Sequence, residues 1–113
     1  MLNISKQHIQ EFELFELGGR LDVAHANELD ALVSDSLADG CRNFLFDFNS
    51  LDYISSYGIR IFVKLMRAEA VVSIVVTSDS VYEIFEMGAL IEPLNIKRDL
   101  IESIKIFTQS NKT

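Results

Sequence analysis

Polar and apolar side chains alternate from Glu11 to Leu14, within the stretch of residues 8–17. A period of two is typical of a strand with one buried face, so this stretch predicts a strand. Gly18 and Gly19 interrupt the alternation and predict a turn after it. Residues 2–7 predict a shorter strand that precedes it.

From Asp22 the spacing of apolar residues changes to three and four, which predicts a helix with one apolar stripe. Asp22 is the expected N-cap and Gly40 the expected C-terminal stop. The stripe consists of Ala26, Leu29, Leu32, Val33 and Leu37.

Two short apolar runs, residues 44–48 and 71–76, predict strands that are covered on both faces. Helical spacing follows each run, with Thr77–Asp79 as turn and cap and Gly88 as a helix end. The apolar residues with this spacing are Ile59, Phe62, Val63 and Met66 after the first run and Val81, Ile84 and Phe85 after the second.

After Pro93 a last amphipathic helix is predicted, with Leu100, Ile101 and Ile104 on one face and a frayed tail at residues 108–113. Strands and helices therefore alternate, which predicts an α/β fold with parallel pairing. The length of 113 residues predicts a single domain over residues 1–113.

The composition narrows the class of protein. Hydrophobic residues make up 49% of the chain, as expected for a folded soluble domain, and the formal net charge of −7 disfavours binding to nucleic acid or to anionic membranes. The charged N-terminal stretch is neither a signal peptide nor a membrane span, and Cys41 is the only cysteine. We expect a cytoplasmic protein in which Cys41 is a packing or loop residue.

Common catalytic signatures are missing from the sequence. It has no phosphate-binding loop with a lysine, no nucleophile elbow and no pair of histidines at metal-ligand spacing. His8 and His25 are isolated and are interpreted as surface or cap residues. We therefore predict a protein that is not an enzyme and that uses neither a metal nor a cofactor.

Ser55, Ser56, Tyr57 and Gly58 lie where a predicted strand gives way to a predicted helix. A serine there can cap the free N–H groups of the first helical turn. The same groups also tolerate an added phosphate. Capping needs only one of the two serine hydroxyls, so the other remains available for phosphorylation.

Three segments together resemble the STAS family, the sulphate-transporter and anti-sigma-factor-antagonist domain. Gly19, Leu21 and Asp22 match its Gly-x-Leu-Asp turn, and Ser56 and Gly58 match its phosphorylation loop. The third segment is the helix with Phe85, Met87, Gly88 and Leu90. The resemblance implies a mixed, mostly parallel sheet of four to five strands with three to four helices packed against it.

The resemblance also implies a bacterial partner-switching regulator. When unphosphorylated, such a domain binds an anti-sigma factor or GHKL-type serine kinase; phosphorylation at Ser56 releases it and a phosphatase resets it. Ser55 is the alternative phosphorylation site. The implied partner-binding residues are Asp22, Ser55, Ser56, Tyr57, Gly58 and Arg60.

Other interpretations remain open. Ser55 stands where the family usually has Asp, which is compatible with a STAS scaffold subunit of a signalling or transport complex that is never phosphorylated. A nucleotide-binding role would rest only on the helix N-terminus. Tyr57 is either a partner anchor or a cover for the loop, Arg60 is either a partner contact or a solvated residue, and the chain is expected to be a monomer or a weak dimer.

Overall fold

The structure is a computed structural model that describes residues 1–9 and 12–109. In this part of the chain five strands form one sheet in the order β1-β2-β3-β4-β5. The first pair is antiparallel and the remaining pairs are parallel. The strands are β1 (Leu2–Ile9), β2 (Phe12–Leu21), β3 (Asn43–Ile54), β4 (Val71–Val75) and β5 (Ile96–Lys97).

Helices connect the parallel strands and cover both faces of the sheet. They are α1 (Ala26–Ala38), α2 (Ser56–Arg67), α3 (Asp79–Met87) and α4 (Leu100–Gln109). The main core joins one face of the sheet to α1, α2 and α3, while a smaller cluster joins the other face to α4. The predicted α/β class and the mixed, mostly parallel sheet are confirmed.

The central strand β3 contributes to both cores. Because successive side chains of a strand lie on opposite faces, Phe44, Phe46 and Phe48 enter the main core while Leu45 enters the smaller cluster. The Phe46 ring meets the Phe62 ring of α2 edge to face, with centroids 4.9 Å apart. The prediction that residues 44–48 form a strand covered on both faces is confirmed.

The turn predicted at Gly18 and Gly19 is wrong. β2 continues through both glycines to Leu21, with shifts in its pairing register to β3 on either side of them. Gly19 has φ 89°, and a Cβ there would lie 2.0 Å from the carbonyl oxygen of Met1. These glycines therefore permit an irregular strand, and Gly19 permits the close approach of the Met1 backbone to β2. Of the predicted strand 8–17, residues 8 and 9 belong to β1 instead, and residues 10 and 11 lie outside the described residues.

The predicted apolar face of the last helix is wrong for Leu100 and Ile101, whereas Ile104 packs against the smaller cluster as predicted. Ile101 is 69% exposed and Leu100 40%, whereas Ser103 and Phe107 are buried. The Phe107 ring stacks on Phe12, with centroids 4.9 Å apart, so this contact orients α4. Thr108 and Gln109 belong to α4 rather than to a frayed tail, and residues 110–113 lie outside the described part.

The predicted C-terminal ends of α1 and α3 and the predicted cap of α3 agree with the structure. Gly40 follows α1 with φ 96°, and Gly88 is the C-cap of α3. Ser78 caps α3 by accepting a hydrogen bond from the N–H of Val81 at 3.4 Å. The short strand β5 was not predicted, because two residues carry no periodic pattern.

Candidate functional site

The loop between β3 and α2 is built around the capping side chain of Ser55. Its backbone is extended, with φ −88° and ψ 163°, and its hydroxyl oxygen accepts a hydrogen bond from the N–H of Gly58 at 3.1 Å. Ser55 is 7% exposed, and its own N–H donates to the carbonyl oxygen of Leu21 at 2.9 Å. Ser55 thus fixes the start of α2 and ties the loop to the end of β2.

Ser56, the first residue of α2, is exposed. Within residues 1–9 and 12–109, its hydroxyl forms no hydrogen bond. The two neighbouring serines therefore differ in environment: Ser55 is buried and caps the helix, and Ser56 presents a free hydroxyl to solvent.

Gly58 lets α2 start close to the end of β2. A Cβ at this position would lie 2.9 Å from Cγ of Leu21 and 3.3 Å from Cγ1 of Ile54, both of which are buried. A larger residue would force either these side chains or the first turn of α2 to move. Gly58 is therefore a packing residue of the loop.

Asp22 follows Leu21 and lies at the same end of the sheet as the loop. Its carboxylate accepts a hydrogen bond from the backbone N–H of His25 at 3.1 Å and lies 2.7 Å from Nδ1 of that side chain. These contacts, chiefly the one to the His25 side chain, lower the pKa of Asp22 below its usual value. In the described residues no hydrogen bond joins Asp22 to Ser56.

The prediction of Asp22 as the N-cap of α1 is wrong. The helix begins at Ala26, and His25 occupies the cap position without a side-chain capping bond. The intervening residues form a turn, in which the carbonyl oxygen of Asp22 accepts hydrogen bonds from the N–H groups of His25 and Ala26. Asp22 stabilises this turn, which sequence alone did not separate from the helix.

Tyr57 and Arg60 form the exposed surface next to Ser56. Tyr57 is 45% exposed, and the Arg60 guanidinium carbon lies 5.9 Å from the centre of its ring. Both residues line a shallow depression of about 140 Å³ together with Asp30, Ile61 and Lys64. An aromatic ring and a cation thus stand beside the free hydroxyl.

The exposed side of α2 is basic although the whole chain carries a formal net charge of −7. The helix contains Arg60, Lys64 and Arg67 and no acidic residue. Lys64 is paired with Asp30 of α1 and also donates to the hydroxyl of Ser34 at 3.0 Å. This link between α1 and α2 was not predicted, because its partners lie 34 residues apart.

Among the residues that the structure describes, no cluster of three or more His, Cys, Asp and Glu side chains is placed to hold a metal ion. Cys41 is half-buried and donates to the carbonyl oxygen of Asn43 at 3.3 Å, and burial raises the pKa of its thiol. In the described part of the chain no helix has both the length and the apolar character to cross a membrane.

Comparison with known proteins identifies the family. The sequence profile of the STAS domain matches residues 3–103. The chain therefore belongs to the STAS domain family.

Curated relatives include the anti-sigma-B factor antagonist of Staphylococcus aureus, which is 26% identical over 99 residues that span 84% of this chain and 92% of the relative. Relatives of this kind are regulatory proteins rather than enzymes, in agreement with the prediction from the missing catalytic motifs.

Solved structures share the fold. An anti-sigma factor antagonist from Mycobacterium paratuberculosis superposes with a TM-score of 0.87 at 13% identity, covering 96% of this chain and 95% of that one. Unphosphorylated SpoIIAA, also an anti-sigma factor antagonist, gives a TM-score of 0.73 at 16% identity, with 98% and 100% covered. The phosphorylated form of SpoIIAA from Bacillus gives 0.68 at 18% identity, with 92% and 98% covered.

Proposed function

We propose that this protein is a phosphorylatable anti-sigma-factor antagonist that works by partner switching in the bacterial cytoplasm. The observation that carries the proposal is the exposed, unbonded hydroxyl of Ser56 beside the buried, capping Ser55. The names of the curated relatives support the antagonist role, and the phosphorylated form of the structural neighbour SpoIIAA supports a phosphate on this fold.

A phosphate on Ser56 would leave the fold intact. Ser56 is not the cap of α2, so modification of its hydroxyl breaks no hydrogen bond that holds the helix. The free N–H groups and the positive dipole at the start of a helix also favour an added anion. Phosphorylation would therefore change the surface rather than the stability of the domain.

In the unphosphorylated state, the surface around this loop would bind an anti-sigma factor that is also a serine kinase. Tyr57 and Arg60 would contact the partner directly, since both are exposed. Ser55 and Gly58 would hold the loop in place, and Asp22 would shape the neighbouring turn. No direct contact with nucleic acid is proposed.

Phosphorylation would then end the complex. A phosphate adds a charge of about −1.5 to −2 at neutral pH, and placing it in a docked interface costs desolvation and repulsion. A loss of about 2.7 kcal/mol would weaken binding roughly a hundredfold, which is sufficient for a switch. A phosphatase would restore the binding form.

Phosphate transfer in an extract of the native cell tests this proposal. The parent protein, Ser56→Ala and Ser80→Ala are incubated with extract and radiolabelled ATP; Ser80 is a matched control, an exposed serine in the first turn of α3. Label is expected on the parent and on Ser80→Ala and none on Ser56→Ala. Label that persists on Ser56→Ala would contradict the assignment.

The presence of Ser55 where the family usually has Asp favours one second candidate, an unphosphorylated scaffold subunit of a signalling or transport complex. Such a subunit would take up no label in the extract. It would instead co-purify stably with its complex, whether or not ATP is present.

A further inference from the structure

We propose that Arg60 is the residue that binds the phosphate of phosphorylated Ser56, an inference that rests on the proposed phosphorylation. Ser56 and Arg60 are four residues apart in α2, so their side chains are neighbours on the same surface of the helix. An anion placed four residues before a cation is the favourable order for such a pair. The phosphate would thus form within reach of the Arg60 side chain.

Arg60 is available for this role because its present contact is weak. It is exposed, and in the described residues its guanidinium forms no ion pair with a carboxylate and lies 5.9 Å from the centre of the Tyr57 ring. That distance is at the outer limit for a cation–π interaction. A guanidinium binds phosphate through parallel N–H···O bonds that are charge-assisted, and these are stronger than such a ring contact at a solvated surface.

The other cations of α2 are less suited to bind this phosphate. Lys64 is held by Asp30 and Ser34. Arg67 is eleven residues after Ser56, which places it roughly 16 Å further along the helix axis. Arg60 is therefore the cation of α2 that is both near Ser56 and free to move.

The charged groups on the elements beside Ser56 do not compete for the phosphate. Asp22 and His25 contact each other in the turn before α1, and Asp30 pairs with Lys64. Arg20, at the end of β2, stacks on the Tyr53 ring with its guanidinium carbon 4.2 Å from the ring centre. Of the cationic side chains on these elements, His25, Lys64 and Arg20 thus already have partners, and the N-terminal ammonium acts on Asp22.

This pairing would extend the effect of the phosphate on the partner surface. Once Arg60 turns towards the phosphate, its guanidinium leaves the Tyr57 ring and is no longer available to a partner carboxylate. Phosphorylation would then remove a cation from the binding surface as well as add an anion to it.

The ionisation of the phosphate tests the proposal directly. Phosphoserine is incorporated genetically at position 56 of the full chain, so that no kinase is needed, and the second phosphate pKa is measured by phosphorus NMR. The three proteins compared are the phosphorylated parent, Arg60→Gln and the matched control Arg67→Gln, which loses the same charge. Because a nearby cation favours the dianion, Arg60→Gln is expected to raise the phosphate pKa by about half a unit, and Arg67→Gln by much less.

Two results would overturn the role of Arg60. In the first, both variants have the same phosphate pKa as the parent. In the second, the phosphate pKa rises equally in both variants, which would mean that the phosphate senses only the overall charge. Equal thermal midpoints of the unphosphorylated parent and Arg60→Gln would show that the shift does not come from altered folding. Since the phosphate is installed genetically, this result is independent of whether a cellular kinase recognises Ser56.

Discussion

The hydroxyl oxygen of Ser55 accepts a hydrogen bond from the backbone N–H of Gly58 at 3.1 Å, and this bond assigns the two neighbouring serines to separate roles. Ser55 holds the first turn of α2 and is buried, so its hydroxyl is already used. Ser56 is left with an exposed hydroxyl that the fold does not require. The loop therefore combines a structural serine with a serine that is free for modification.

Replacing each serine with alanine separates these roles. Ser55→Ala removes a helix cap and is expected to lower the free energy of unfolding by about 1 kcal/mol. Ser56→Ala breaks no hydrogen bond and should change it by less than about 0.5 kcal/mol. Urea unfolding followed by circular dichroism measures both values, and equal losses for the two variants would contradict the assignment.

Gly58→Ala tests the close contact between α2 and the end of β2. The added Cβ would lie 2.9 Å from Cγ of the fully buried Leu21, so either the Leu21 side chain or the helix start must shift. Overpacking of this kind costs roughly 1–3 kcal/mol, against a gain of up to about 1 kcal/mol from the better helix propensity of alanine. A net loss of stability is expected in thermal unfolding.

Gly88→Ala is the control for this variant. Gly88 has φ −88°, and an added Cβ would approach the Leu90 side chain only to 3.5 Å. The stability of Gly88→Ala should equal or slightly exceed that of the parent. If Gly58→Ala behaved in the same way as Gly88→Ala, the tight packing of the loop would be disproved.

Only part of this architecture is contained in the sequence pattern. The pattern of residues 44–48 predicts a central strand because every position except Asp47 is apolar. The buried face of α4 could not be predicted in this way, because Ile101 and Phe107 both fit a helical period. Only the position of Phe12 decides which of the two is buried. Tertiary position, not local pattern, determines this face.

The candidate site, too, could be predicted only in part from the sequence. Ser56 and Gly58 were identified from the motif, but the pattern left open which serine caps the helix, since either residue type can do so. The hydrogen bond from Ser55 to Leu21 depends on β2 lying beside the loop. The contact of Asp22 with His25 likewise became visible only once the turn before α1 was distinguished from the helix itself.

The orientation of α4 can be measured with two variants. Phe107→Ala removes the ring that stacks on Phe12 and is expected to destabilise the protein by about 3 kcal/mol. Ile101→Ala removes a side chain that is 69% exposed and should cost less than about 0.5 kcal/mol. If chemical denaturation showed a larger loss of stability for Ile101→Ala than for Phe107→Ala, the face predicted from the sequence would be correct.

Cys41 should be a poor nucleophile in the folded protein. Burial raises the pKa of its thiol above the reference value of 9.0, so little thiolate is present at neutral pH. Alkylation by iodoacetamide, followed by mass spectrometry, should be slower in the native protein than in the protein unfolded by urea. An equal or faster native rate would indicate an activated thiol.

The most direct test of the central claim is the intact mass of the protein purified from its native cell, with mapping of any modified site, alongside Ser56→Ala from the same cell. The account predicts a species that is heavier by one phosphate, mapped to Ser56 and absent from the variant. A single unmodified mass under all growth conditions, or a phosphate mapped elsewhere with Ser56 untouched, would contradict it.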